Sequence, residues 1–249
     1  MKILAIETSG QVCGAALAED DQLVAEYNLQ FKVTHSQILV PQMETIREMT
    51  KLDLSTIDAV ALTKGPGSFT GVRIGAATAK GLGLALDKPL IPVPTVDAIA
   101  YNLFGTEALI CPLMDARRSQ VYTGIYTFDP ADGKMKVLRG QCAVSVEEIA
   151  GALNAMGMET GKTAILLGDG APVYAESLKT LLEIPYVFAP LHLSRQRASS
   201  TAALAMELWR TEGEAAFVSA DDFRPEYLRL SQAERDRLSG IDTSQITRR

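Results

Sequence analysis

The sequence predicts an α/β protein built from two related halves, each a mixed sheet with flanking helices. Three observations carry this. The first half opens with an apolar strand that ends in a carboxylate, a polar turn and a returning apolar strand. The second half opens the same way about a hundred residues later. Helical periodicity follows the hairpins in each half, and strands mixed with helices in two successive blocks are the pattern of two packed α/β layers.

In the first half Ile3 to Ile6 is apolar, Glu7-Thr8-Ser9-Gly10 is a small polar turn, and Val12 to Ala18 returns. Asp20-Asp21-Gln22 turns the chain again into Leu23 to Glu26. In the second half Ile110 to Met114 leads to Asp115-Ala-Arg-Arg-Ser119, and Val121 to Tyr126 returns. A turn at Asp129-Pro-Ala-Asp-Gly133 then leads into Lys136 to Leu138. The matched carboxylates, Glu7 and Asp115, favour an internal duplication over two unrelated hairpins.

Helices are read from spacing and caps. His35 to Met49 places Leu39, Met43 and Ile46 on one face behind Thr34 as N-cap, with Pro41 requiring a kink or a later start. Ser145 and Glu148 have the spacing of a capping box, with Ile149, Leu153 and Met156 on one side of the helix that follows. A strand at Ala164 to Leu167 ends in Gly168-Asp169-Gly170, and a short helix is predicted near Pro172 to Leu182. A last amphipathic helix spans about 199–211. The expected divisions are residues 1–105, 106–229 with that last helix free to pack back on the first unit, and a polar tail over 230–249.

Composition excludes several classes. Of the 249 residues 47% are hydrophobic and 22% charged, which rules out wholesale disorder. No apolar run reaches the length of a membrane span and no signal-peptide pattern is present, so a cytoplasmic protein without membrane attachment is expected. Three scattered cysteines argue against a disulfide framework or a thiolate zinc site, and two distant histidines against a His-rich metal centre. The net charge of −6 lacks the basic surplus of a chain that grips nucleic acid by itself.

The segment of greatest interest is a strand at Ala59 to Thr63, the loop Lys64-Gly-Pro-Gly-Ser-Phe-Thr-Gly71, and a helix over Val72 to Leu86. Such a loop either offers backbone N–H groups to an anion or is a tight structural turn; it matches neither a P-loop nor a dinucleotide fingerprint. Along its helix Gly71, Gly75, Ala79 and Gly83 recur every four residues and form a smooth ridge. Interior glycines cost roughly 0.5–1 kcal/mol each against alanine, so something packs close to that ridge, either the protein's own sheet or another chain. Glu7-Thr8-Ser9 is either a phosphate or Mg²⁺ turn or a plain turn. Gly168 and Gly170 either approach a nucleotide or initiate a helix. His35 is a hydrogen-bonding or helix-initiating residue, and no Ser or Cys sits in a nucleophile constellation.

Leu4-Ala-Ile-Glu-Thr-Ser9, His35-Ser36 with Leu39 and Pro41, and Gly65-Pro-Gly-Ser-Phe-Thr-Gly-Val-Arg-Ile-Gly75 together resemble the TsaB (YeaZ) family. Asp115-Ala-Arg117, Val121-Tyr122, Pro225 and Tyr227-Leu-Arg229 extend the likeness almost end to end, with Gln120 where glutamate is expected. The resemblance implies a duplicated actin/Hsp70-like (ASKHA) fold and membership of the bacterial machinery that makes threonylcarbamoyladenosine beside the tRNA anticodon. There the related subunit TsaD catalyses transfer, TsaB pairs with it as a non-catalytic regulator, and the ATPase TsaE joins them. TsaD-type chains carry a His-x-x-x-His metal motif shortly after an Ile-Pro-Val strand; here Thr95 and Ile99 follow Ile91-Pro92-Val93 at those places. The implied protein therefore holds no metal and needs no cofactor of its own, with ATP or ADP entering at the level of the complex. It meets tRNA only through the complex and is able to form a homodimer when alone. A nucleotide cleft, if kept, would use Glu7, Thr8, Ser9, Gly168 and Gly170. Helices of the first unit pair such chains, so Gly71, Gly75, Ala79 and Gly83 with Leu39, Met43 and Ile46 are the expected partner surface. An active kinase- or ATPase-like enzyme using Glu7 and Asp115 is the alternative, and a metalloprotease a weaker one.

Overall fold

The computed structural model describes residues 1–229; the tail expected at 230–249 lies outside them. The first sheet uses β1 (Lys2–Glu7), β2 (Cys13–Glu19), β3 (Gln22–Leu29), β4 (Ala59–Gly65) and β5 (Leu90–Pro94) in the order β3-β2-β1-β4-β5. The second uses β6 (Leu109–Asp115), β7 (Gln120–Phe128), β8 (Met135–Ser145), β9 (Ala164–Leu167) and β10 (Tyr186–Phe188) in the order β10-β9-β6-β7-β8. From the opposite edge, the second order repeats the first strand for strand. In both, the opening strand pairs antiparallel with the next and parallel with the fourth. The duplication expected from two hairpins is therefore a duplication of whole sheets, and Glu7 and Asp115 hold equivalent places at the ends of β1 and β6.

Helices α1 (His35–Thr50) and α2 (Phe69–Leu86) cover one face of the first sheet. Pro41 lies inside α1, which begins at His35 behind Thr34; the Thr34 side chain makes no cap bond. The later start considered for this helix is thus excluded. Helix α3 (Thr95–Ala100) connects the sheets, and α4 (Val146–Thr160) packs on the second. The Ser145 hydroxyl caps α4 by accepting from the Glu148 N–H at 3.2 Å. The return arm of a capping box is not made, because the Glu148 carboxylate pairs with Arg139 at 2.5 Å. Two short helices, α5 (Gly170–Val173) and α6 (Ala175–Leu181), stand where one was expected, and the three-residue β10 was not anticipated. Helix α7 (Ala198–Glu212) follows the second sheet in sequence but packs on the other face of the first, Ala198, Ala202 and Ala205 meeting Ile3, Ala5 and Ala16. Its small residues let it lie close to the strands.

The ridge on α2 faces the same way as the core, which corrects the expected partner surface. A Cβ on Gly71 would stand 2.1 Å from the Thr8 carbonyl oxygen, and one on Gly75 2.3 Å from the Thr8 hydroxyl. A Cβ on Gly83 would meet Lys88, Leu90 and Ala220 at 3.0–3.2 Å, and Ala79 is fully buried. Leu39 and Ile46 are buried in the same core and Met43 is packed against it. These seven residues hold two helices on their own sheet and are not offered to another chain. The large apolar side chains that α1 and α2 present outward are Val40, Met49, Phe69 and Leu84.

Two alanine substitutions in α2 separate the two uses of glycine. Gly71→Ala is expected to destabilise the fold by about 1–3 kcal/mol, since the added methyl meets backbone that cannot turn aside. At Gly81 nothing lies within 4 Å of the added carbon, so Gly81→Ala is expected to stabilise by about 0.5–1 kcal/mol. Urea unfolding of both variants checks the opposite signs.

Candidate functional site at the junction of the two sheets

The turns after β1 and β6 face each other across a cleft of about 510 Å³. Ser9, Gly10 and Gln11 form one wall with the start of α2; Asp115, Ala116 and Arg117 form the other, with Asp169 beside them. Residues 226–229 form a further wall.

Of the residues expected in a nucleotide cleft, only Ser9 contributes to the lining. Glu7 has no exposed surface. Its Oε1 accepts from the Ser9 N–H at 2.6 Å and from the Ser9 hydroxyl at 2.5 Å, and its Oε2 accepts from the Thr201 hydroxyl of α7 at 3.5 Å. Burial pushes its carboxyl up to about 7, against the Ser9 hydrogen bonds that pull it down. A carboxylate so enclosed presents no open oxygen to a metal ion in the cleft. Thr8 is sealed beneath the α2 ridge. Gly168 and Gly170 turn toward β6: a Cβ on Gly168 would lie 2.3 Å from the Leu113 carbonyl oxygen, and its φ of +98° suits glycine. The Gly168 carbonyl accepts from Arg195 at 2.8 Å. These glycines let β9 turn tightly into α5 and do not line the cleft.

Asp115, expected as the counterpart of Glu7, reaches the cleft, though its oxygens are engaged. Oδ1 accepts from the Arg117 N–H at 2.8 Å and from the Tyr174 hydroxyl at 3.0 Å, and Oδ2 lies 3.3 Å from the Arg117 guanidinium. Burial, reinforced by the bond to Asp115, pushes the Tyr174 hydroxyl up to about 12. The turn itself is strained: Arg117, Arg118 and Ser119 all have left-handed backbone, with φ of 66°, 57° and 56°. Asp169, the middle residue of the Gly168-Asp169-Gly170 turn, is raised above the ordinary carboxylate range by burial, and its Oδ1 has no protein partner. Lining residues missed from sequence are Phe69, Arg117, Tyr227 and Arg229. All four stood in segments that carry the family likeness, but nothing in the spacing of Tyr227 and Arg229 said that they would fold back onto the cleft.

His35 fulfils both roles considered for it, opening α1 while its Nε2 lies 2.9 Å from the Gly10 carbonyl oxygen. Thr95 and Ile99, at the places of the TsaD-type histidines, lie buried on α3 in the packing between the sheets. Among the described residues no group of three or more His, Cys, Asp and Glu side chains is placed to hold a metal ion. No helix there is long and apolar enough to cross a membrane.

Two sheets of one strand order, closed around a cleft between their equivalent turns, define a protein of the duplicated actin/Hsp70-like class. The family model for TsaD, tRNA N6-adenosine threonylcarbamoyltransferase, matches residues 30–236. A Bacillus subtilis protein, the tRNA threonylcarbamoyladenosine biosynthesis protein TsaB, is 32% identical over 94% of this chain and 96% of its own length. The Escherichia coli protein of the same name is 36% identical over 52% of this chain and 56% of its own. The solved structure of YeaZ from Pseudomonas aeruginosa superposes with a TM-score of 0.75 at 28% identity, covering 91% of this chain and 99% of that one. The chain belongs to the TsaB (YeaZ) branch of the TsaD family.

The buried Glu7 makes stability depend on pH in a definite direction. Below the unfolded value of 4.5 both states carry the proton and its contribution is fully present. Between 4.5 and about 7 the unfolded chain releases the proton first, so stability falls as pH rises, and the loss is complete above the folded value. Glu7→Gln is expected to remove that slope and to gain on the parent protein by up to roughly 3 kcal/mol between pH 5 and 8. Denaturant titrations of both proteins across that range check it.

Proposed function

We propose that this protein is the non-catalytic partner subunit of a TsaD enzyme, which it binds and activates for threonylcarbamoyladenosine formation on tRNA next to the anticodon. It acts in the cytoplasm, with TsaE as a further component, and meets tRNA through the complex. It holds no cofactor of its own, and ATP or ADP enters at the level of the assembly. Family membership sets the pathway. The observation that carries the non-catalytic part is the enclosure of Glu7: the carboxylate that opens the duplicated fold is sealed under α2 and α7 and neutralised by its surroundings near pH 7. Thr95 and Ile99 support the same reading, because an isoleucine cannot ligate a cation and the threonine is buried in packing.

The pairing surface is the outward side of α1 and α2. Both helices lie on one face of the first sheet, and with the ridge assigned to the core Val40, Met49 and Leu84 are exposed apolar side chains on them. A second copy of the chain uses the same surface when TsaD is absent.

Reconstitution with TsaD, TsaE and the other proteins of that machinery tests the whole reading. Modification of tRNA is expected only when this protein is added, while the protein alone turns over no ATP. Modification that proceeds equally without it would defeat the proposal. ATP turnover by the isolated chain that vanishes in Asp115→Ala would return the cleft to the kinase-like alternative. Val40→Asp and Leu84→Asp together are expected to leave a folded chain that no longer co-purifies with TsaD.

A further inference from the structure

The segment after α7 crosses from one half of the molecule to the other. It is rooted in the first half by Phe223, which is buried in the core under α1 and α2. The Glu226 N–H donates to the Lys64 carbonyl at 2.7 Å, and its carboxylate takes the Lys64 ammonium at 3.2 Å. Gly65 makes this approach possible: a Cβ there would stand 2.3 Å from the Glu226 carbonyl oxygen, at a φ of +111°. Tyr227 stacks on Phe69 with ring centroids 5.3 Å apart, and its hydroxyl accepts from the Arg73 Nε–H at 3.0 Å. Arg73 lies over the Phe69 ring at 3.8 Å, within cation–π range.

Two contacts reach the second half. Gln141, on β8, donates to the Gly65 carbonyl at 3.4 Å and to the Glu226 carboxylate at 3.3 Å. The Arg229 guanidinium donates to the carbonyl oxygens of Ala116 and Arg117, in the strained turn on the far side of the cleft. Taken together, residues 226–229 thus reach both sides of the junction, and all four line its cavity.

We propose that residues 226–229 are a strap that latches the two halves in one relative orientation and holds the cleft between them closed. The chain that makes the latch comes from neither sheet, so its release leaves both sheets and their helices intact. The grip at each end is of a reversible kind. An aromatic pair with an arginine, and hydrogen bonds to an ionic group, are contacts that water replaces readily. Release of the strap leaves the buried packing of α3 between the sheets (Val96, Ile99, Ile110 and Met114) in place, and that packing bounds how far the halves separate.

The test measures the distance between the halves in the full-length protein. Spin labels are placed at Ala77→Cys on α2 and Glu159→Cys on α4, both exposed, in a Cys142→Ser background; Cys13 and Cys111 are buried and escape labelling. With the strap intact, one narrow distance distribution is expected by double electron–electron resonance. Adding Tyr227→Ala and Arg229→Ala together is expected to broaden it and add a longer-distance population, with unchanged helical content by circular dichroism. A distribution that stays narrow and unshifted in that folded variant overturns the proposal. Should the double variant lose its helical signal, Arg229→Ala alone, which removes only contacts to two carbonyl oxygens, is judged by the same criterion.

Discussion

The close approach of α2 to the end of β1 is the contact on which the rest of the molecule depends. Gly71 and Gly75 have no Cβ, so the helix backbone settles directly on Thr8. That contact closes the turn 7–9 from one side while α7 closes it from the other through Thr201. A turn that would otherwise be an open polar hairpin end becomes interior. Burying a carboxylate there is tolerated because it accepts hydrogen bonds from Ser9 and because it keeps a proton to near neutral pH, which avoids the cost of an isolated buried charge.

This packing decides what the cleft can be. In this duplicated fold the two equivalent turns face each other across the cleft, and the carboxylates that end β1 and β6 are its one matched acidic pair. Here the first carboxylate is withdrawn into the core and the second is occupied by Arg117 and Tyr174. What remains at the junction is a cavity walled by Ser9, Asp169 and the segment 226–229. The duplicated architecture is kept while both of its matched carboxylates are drawn into structural contacts.

The same contact moves the surface available to a partner. Four-residue spacing of small side chains states that something approaches α2 closely, and it says nothing of what does. The duplicated sheet supplies the answer: β1 lies at its centre, so the helix next to it must pack tightly, and the ridge is consumed there. What α1 and α2 leave exposed among their large apolar side chains is Val40, Met49, Phe69 and Leu84 in place of the glycines.

Local signals made much of the architecture legible. Apolar strands ending in Glu7 and Asp115, the Gly-rich loop before α2, the Ser145 cap and the periodicity of α4 and α7 are properties of neighbouring residues, and each produced the element it indicated. The short β10 was not legible, since three residues with no alternation carry no periodic signal, nor was the passage of α1 through Pro41, which tertiary packing of Leu39 and Ile46 outweighs. The candidate site divides along the same line. That Glu7 and Asp115 correspond was written in the sequence, because equivalence along a repeated chain is a matter of order. That one is sealed and the other engaged, that Gly168 and Gly170 face β6, and that Tyr227 and Arg229 return to the cleft were decided only in the tertiary structure. Those outcomes depend on which surfaces meet across more than a hundred residues of chain, and no local spacing encodes such a meeting.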